Sequence, residues 1–185
     1  MEKAKKIKLF FTLLYFFIII SFLLLIFSKF SISDISSYEF IKNNMDRLYL
    51  YKKSNLILIS VFFILFTIIW VVLLGFGSPI FLVGGFLFGK WLGTIIVTFS
   101  LTVGATFLYI IANYIFKELI IEKFSQRFLN LKNKFKKNEF NFMLIYRFVG
   151  GLPFFIHNIL PCLFEVKLKN YFFATLIGLM PQLFI

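Results

Sequence analysis

Apolar positions in this chain come in long runs separated by short basic clusters, and the length of each run sorts it into a class of element. Leu9 to Phe27 is apolar almost throughout and follows Lys3, Lys5, Lys6 and Lys8. It is close to the ~20 residues a helix needs to cross the hydrocarbon. Its core exceeds the roughly 7 to 15 residues of a signal peptide, and the Ser28-Lys29-Phe30-Ser31 that follows offers no small-x-small cleavage site. Residues 1–30 therefore read as an uncleaved N-terminal membrane anchor. Residues 31–55, with Asp34, Glu39, Lys42, Asp46, Arg47, Lys52 and Lys53, form an extramembrane connection, read as a solvated loop with a short interfacial helix. Leu56 to Leu74 is almost purely apolar and predicts a second full span.

From Gly75 to Phe116 the only charge is Lys90, yet Gly75, Gly77, Pro79, Gly84, Gly85, Gly89, Gly93 and Gly104 punctuate the stretch. At ~1.5 Å per residue, Pro79 to Gly89 makes about 16 Å of helix, half a bilayer, whereas Leu92 to Ile115 makes about 36 Å. One half-length element followed by one span fits these lengths. Irregular backbone at membrane depth must be surrounded by protein or line a water-filled cavity, so 77–91 is expected as a re-entrant hairpin inside the bundle. A single kinked helix with packing glycines is the alternative.

Between Lys117 and Asn138 the apolar residues Ile121, Phe124, Phe128, Leu131 and Phe135 recur at helical spacing, while Lys123, Arg127, Lys132, Lys134, Lys136 and Lys137 occupy the polar remainder. Segment 117–138 is expected to be an amphipathic helix lying in the interface, its cations against anionic headgroups. Segment 142–164 is broken more heavily, by Arg147, Gly150, Gly151, Pro153, His157, Asn158 and Pro161. Its Leu, Ile, Phe and Val residues contribute roughly −4 to −7 kcal/mol to insertion, and Arg147 alone costs about 2.5 to 3.5 kcal/mol. It is expected to be a second re-entrant element received by the rest of the bundle. Glu165, Lys167 and Lys169 then mark an interface, and Tyr171 to Ile185 begins a further span of about 22 Å. That short span is either completed in an assembly, such as a homo-oligomer, or belongs to a longer protein.

Composition adds the class. With 61% hydrophobic and 15% charged residues and a mean hydropathy of +0.93, the chain has more apolar surface than a soluble core of this size could hide. The formal charge of +12 sits beside apolar runs, as where flanks meet anionic headgroups. Nucleic acid is excluded as a partner because too little polar sequence exists to build a basic face on a soluble domain. The single cysteine, Cys162, excludes an internal disulfide and a cysteine metal cluster. Neither a metal-ligand spacing, nor a nucleophile beside a base, nor a phosphate-binding Gly-Lys-Ser/Thr loop is present, so neither cofactor nor enzymatic activity is expected.

The order hairpin, span, basic connection, hairpin, span is a repeat, and an offset of 74 superposes Pro79 on Pro153 and Gly104 on Gly178. A hairpin plus a span reverses sidedness with each copy, so the hairpins would enter from opposite faces and meet near the midplane. The predicted fold is an all-α polytopic membrane protein with about four spans and two re-entrant helical hairpins in an inverted repeat. Orientation is pulled two ways: the Lys-rich start favours a cytoplasmic amino terminus, which places the twelve Lys and Arg of 28–55 and 117–140 outside.

Pro79 to Gly93 (PIFLVGGFLFGKWLG) and Gly104-Ala105-Thr106-Phe107, with Arg147, Pro153-Phe154, Asn158, Gly178 and Pro181, resemble the VTT-domain family over about residues 56–185. This is the SNARE-associated Golgi protein group of the DedA superfamily. Asn113 stands where the family usually places an arginine. The resemblance implies movement of phospholipid or a polyprenyl-phosphate carrier between leaflets, sometimes with proton coupling, and a plasma-membrane location if the chain is bacterial. Small-solute transport and a non-transporting scaffold are the alternatives. Candidate path residues are Arg147, Pro153, His157, Asn158, Asn113, Gly85 and Gly89. Arg147 stands out because arginine is rare here, three against seventeen lysines, and its planar fork suits a bidentate phosphate.

Overall fold

A computed structural model describes residues 2–29, 55–121, 132–133, 135–149 and 152–184. The chain divides into two units, Met1–Ile59 and Ser60–Ile185. In the first, helix α1 (Glu2–Lys29) contains a 20-residue apolar window, Lys6–Leu25, none of it buried.

The second unit is built from α2 (Leu56–Leu74), whose first residues still belong to the first, then α3 (Ser78–Ile121), α4 (Glu139–Val149), α5 (Phe154–Ile159) with a 3-10 turn (Leu160–Phe164), and α6 (Leu168–Phe184). Three described helices are long and apolar enough to cross a membrane: Lys6–Leu25, Leu56–Leu74 and Ser78–Ile115. The expected fourth span falls in α6, whose 17 residues make about 25 Å.

Three contacts fix the path of the first half. Helix α2 stops at Gly75, whose φ of 71° is open to glycine and whose N–H donates to the Val71 carbonyl at 2.9 Å. Helix α3 is two arms, because Gly89 (φ 72°, ψ −177°) breaks it. A Cβ on Gly93 would lie 3.1 Å from the Gly84 carbonyl oxygen and 3.5 Å from the Gly85 Cα. Residues eight or nine apart in a straight helix are over 12 Å apart, so 78–88 folds back on 90–121. The arm 90–121 in turn runs alongside α2 in the same direction, since Val71 packs under Gly104 while Phe63 meets Gly84 near Val97.

The second half repeats this with reversed sense. Glu139 of α4 bonds Lys167 and Asn170 near the start of α6, and Arg147 meets Thr175, Gly178 and Gln182 further along, so α4 and α6 run in the same direction. Between them α5 and the 3-10 turn run back, since Asn158 meets Arg147 late in α4 while Phe164 stacks on Phe135 just before the start of α4. Helix α6 is antiparallel to the long arm of α3: Tyr109 meets Val166, Ala105 meets Tyr171 and Thr94 meets Leu183. The halves are therefore oppositely directed, each a helix, a short returning arm and a long helix. Their inner turns touch, with Phe154 against Phe81 (6.1 Å between rings) and Phe155 over Gly75. Their outer turns, Gly89 and the left-handed Glu165 (φ 49°), lie at opposite ends.

Gly75 and Gly89 are two separate reversals, and 78–88 is the single arm between them. The helix that follows Gly89 takes in the expected span 92–115, and Gly93 and Gly104 serve close packing there and do not break it.

Candidate functional site

Helices α4, α5 and α6 converge on Arg147, which is 0% exposed. It points between α5 and α6 because Gly178 lets α6 approach: a Cβ there would fall 2.5 Å from the arginine Cβ. Its Nε donates to Thr175 Oγ1 at 3.0 Å, Nη1 to Asn158 Oδ1 at 3.0 Å, and Nη2 to the Tyr171 hydroxyl at 2.8 Å. The Tyr171 hydroxyl lies 3.2 Å from the Ala105 carbonyl of α3, and its ring stacks on Tyr109 at 4.4 Å. Gln182 donates to the Arg147 carbonyl at 2.7 Å, so the α4 backbone is tied to α6 as well.

Electrostatics make the site unusual. Every partner of the guanidinium is neutral, and no ion pair involves Arg147 among the described residues. Glu139 lies eight residues earlier on α4, about 12 Å along the axis, where its Oε1 accepts from the Lys167 N–H at 2.5 Å and from Asn170 Nδ2 at 2.9 Å. Glu165 faces Lys132 at 2.8 Å and Lys136 at 3.2 Å. Sequestering a charge from water costs several kcal/mol when no opposite charge compensates it. Three of the five guanidinium donors have described acceptors, and the Asn158 Nδ2 beside them is buried with none. No group of three His, Cys, Asp or Glu suited to a metal ion occurs among the described residues.

The expected site residues separate into two groups. Asn158 joins Arg147 directly. His157 is buried beside them with its ring edge-on to Tyr146 at 4.4 Å, and Pro153 is exposed at the start of α5. Asn113 lies eight residues beyond Ala105, about 12 Å along α3, and its buried Oδ1 has no partner. Gly85 and Gly89 belong to the other half; a Cβ on either would meet open space. Among the interfacial cations, Lys123, Arg127 and Lys134 lie outside the described residues. Lys137 is exposed, whereas Lys132 and Lys136 reach the Glu165 carboxylate, and Phe135 stacks on Phe164 at 4.6 Å and Phe142 at 5.5 Å. Phe135, the last residue of the expected lipid-facing stripe, is thus packed on protein. Sequence reasoning missed Tyr171 and Thr175, although Tyr171, Thr175 and Gly178 form a helical stripe of polar and small residues that could have signalled them.

Two oppositely directed helical halves, a long apolar arm and a buried arginine beside a Pro-broken hairpin define a polytopic α-helical membrane protein built on a helical-hairpin repeat. The VTT domain matches residues 55–185, and the chain belongs to that family. A relative described as Transmembrane protein 41 homolog, from Dictyostelium discoideum, is 33% identical over 108 residues, covering 57% of this chain and 32% of the relative. The chain thus spans about a third of that relative's length. No solved structure matches.

Proposed function

We propose that the chain moves phosphate-bearing lipid between leaflets, with Arg147 meeting the phosphate. The observation that carries this reading is a fully buried guanidinium held by neutral groups alone. A phosphate would replace those acceptors with charge-assisted, bidentate bonds roughly twice as strong. In this reading the two inner turns lie at membrane depth as the tips of re-entrant hairpins that enter from opposite faces, and anionic headgroups are the partners. Family membership and the Dictyostelium relative support a membrane role without naming the cargo.

The same geometry favours one rival, in which Arg147 is a structural pin of a non-transporting scaffold, because its bonds tie α4, α5 and α6 together. Fluorescent-lipid translocation in liposomes carrying purified protein separates the two. Arg147→Gln is expected to keep membrane level and unfolding midpoint while losing most lipid movement. Arg147→Lys should restore only part, since an ammonium keeps the charge without the planar fork. Translocation at the unaltered rate by Arg147→Gln would exclude the phosphate role, and a variant that mainly unfolds would favour the pin.

A further inference from the structure

Five residues of the long arm of α3, Thr94, Thr98, Thr102, Ala105 and Tyr109, recur at intervals of four, four, three and four and so share one helix face. That face lies against the second half. Its ends are anchored there, Thr94 by a 3.4 Å bond to the Leu183 carbonyl and Tyr109 by a 2.6 Å bond to the Val166 carbonyl. Within it Ala105 receives the Tyr171 hydroxyl. Thr102 is three residues before Ala105, about 4.5 Å along α3, and Thr175 is four after Tyr171, about 6 Å the same way along the antiparallel α6. Thr102 is therefore level with the hydroxyl that holds the Arg147 Nε, and Thr98 stands one turn further on.

Both hydroxyls are fully buried and without a partner. A buried helical Thr ordinarily satisfies itself on the carbonyl four residues back, and neighbours do so: Thr94 to Lys90 at 2.6 Å, Ser100 to Ile96 at 2.7 Å and Thr106 to Thr102 at 2.7 Å. Thr98 and Thr102 forgo that bond while facing the Arg147 layer. On the opposite side the Asn158 Nδ2 and two guanidinium N–H groups also lack a described acceptor. The unused groups of this layer are all able to donate and the net charge is positive, which suits an acceptor-rich anion better than a cation.

We propose that Thr98 and Thr102 form the second wall of the Arg147 site and donate to the oxygens of a phosphate group whose charge Arg147 balances. This rests on the reading that Arg147 meets phosphate, and it brings the first half of the repeat into the site. The phosphate belongs either to a lipid headgroup or to free phosphate.

The test is calorimetric titration of the purified full chain in a maltoside detergent, which contains no phosphate, with short-chain phosphatidic acid and separately with inorganic phosphate. Thr98→Val and Thr102→Val should each weaken binding about tenfold, the loss of one hydrogen bond to a charged ligand. Their ligand-free unfolding midpoints should stay level or rise, because an isosteric methyl replaces an unpartnered buried hydroxyl. Thr67→Val is the control: it too has a buried, unpartnered hydroxyl, but it lies on α2, in register with Phe63 and Val71. Binding of phosphatidic acid alone identifies a headgroup site, and equal competition by inorganic phosphate identifies a free-phosphate site. Unaltered binding by both Val variants alongside a loss in Arg147→Gln would overturn the second wall and leave the arginine reading standing. Failure of the unaltered chain to bind either probe would remove both. If the Val variants unfold, Thr98→Ser and Thr102→Ser decide: binding like the unaltered chain supports the hydroxyl role, and a loss of about tenfold in folded Ser variants refutes it.

Discussion

At the scale of single residues, glycine positions decide how closely this bundle packs, and two that look alike in sequence have opposite roles. Gly178 sits where a Cβ would fall 2.5 Å from the Arg147 Cβ and 3.3 Å from its Cγ. Gly178→Ala should therefore push α6 off α4 and destabilise by about 1–3 kcal/mol, as overpacking does. Gly85 has open space where its Cβ would go, so Gly85→Ala should be neutral or stabilise the arm by roughly 0.5–1 kcal/mol through helix propensity. Unfolding midpoints of the two variants in detergent check this, and equal shifts in the same direction would contradict it. Arg147 and Asn158 were legible as candidates because polar groups are costly in an apolar stretch. Tyr171 and Thr175 were less so, because a tyrosine or threonine in an apolar run is ordinary until a buried cation is placed against it.

Among the elements, the two outer turns use different backbone conformations, and their tolerance should differ accordingly. Gly89 has φ 72° and ψ −177°, a region that essentially only glycine occupies. Glu165 has φ 49° and ψ 49°, the left-handed region that asparagine also visits. Gly89→Ala and Gly89→Asn should thus both cost about 1–3 kcal/mol, with asparagine giving no relief. Glu165→Asn should cost less, since its left-handed backbone suits asparagine and its ion pairs to Lys132 and Lys136 near the surface contribute about 0–1 kcal/mol each. Thermal unfolding of the three variants tests the contrast; a well-tolerated Gly89→Asn would mean that the reversal at 89 is not built this way. Glycines at 75 and 89 were visible as breaks, but composition does not say which breaks reverse the chain and which, like Gly93 and Gly104, only admit a neighbour.

For the whole molecule, charge and topology make a joint statement about sidedness. The long arm of α3 carries no charge from Trp91 to Phe116, about 39 Å of helix and more than the ~30 Å hydrocarbon core. Lys90 at its start and the cluster of Lys136, Glu139 and Glu165 at its far end should then lie at opposite faces, with the start of α6 beside that cluster. Single cysteines replacing Lys90, Lys137 and Lys169, in a chain whose buried Cys162 is changed to Ala, are expected to react with an impermeant thiol reagent from one face for Lys90 and from the other for Lys137 and Lys169. Labelling of all three from the same face would show that the long arm does not cross.

Apolar run length, basic flanks and a mean hydropathy of +0.93 by themselves determined that this is a helical membrane protein, because transfer of so much apolar surface admits no other solvent. The offset pairs Pro79 with Pro153 and Gly104 with Gly178 also carried a trace of the repeat, and in the structure each glycine does sit over its own half's first helix, on Val71 in one and Arg147 in the other. Only the tertiary structure decided which residues share the buried layer. Thr98, Thr102, Arg147, Asn158, Tyr171 and Thr175 come from four helices, α3 to α6, and their alignment depends on the register of the antiparallel α3 and α6. Pairwise register between helices is set by packing of facing surfaces and leaves no periodic signal within either one.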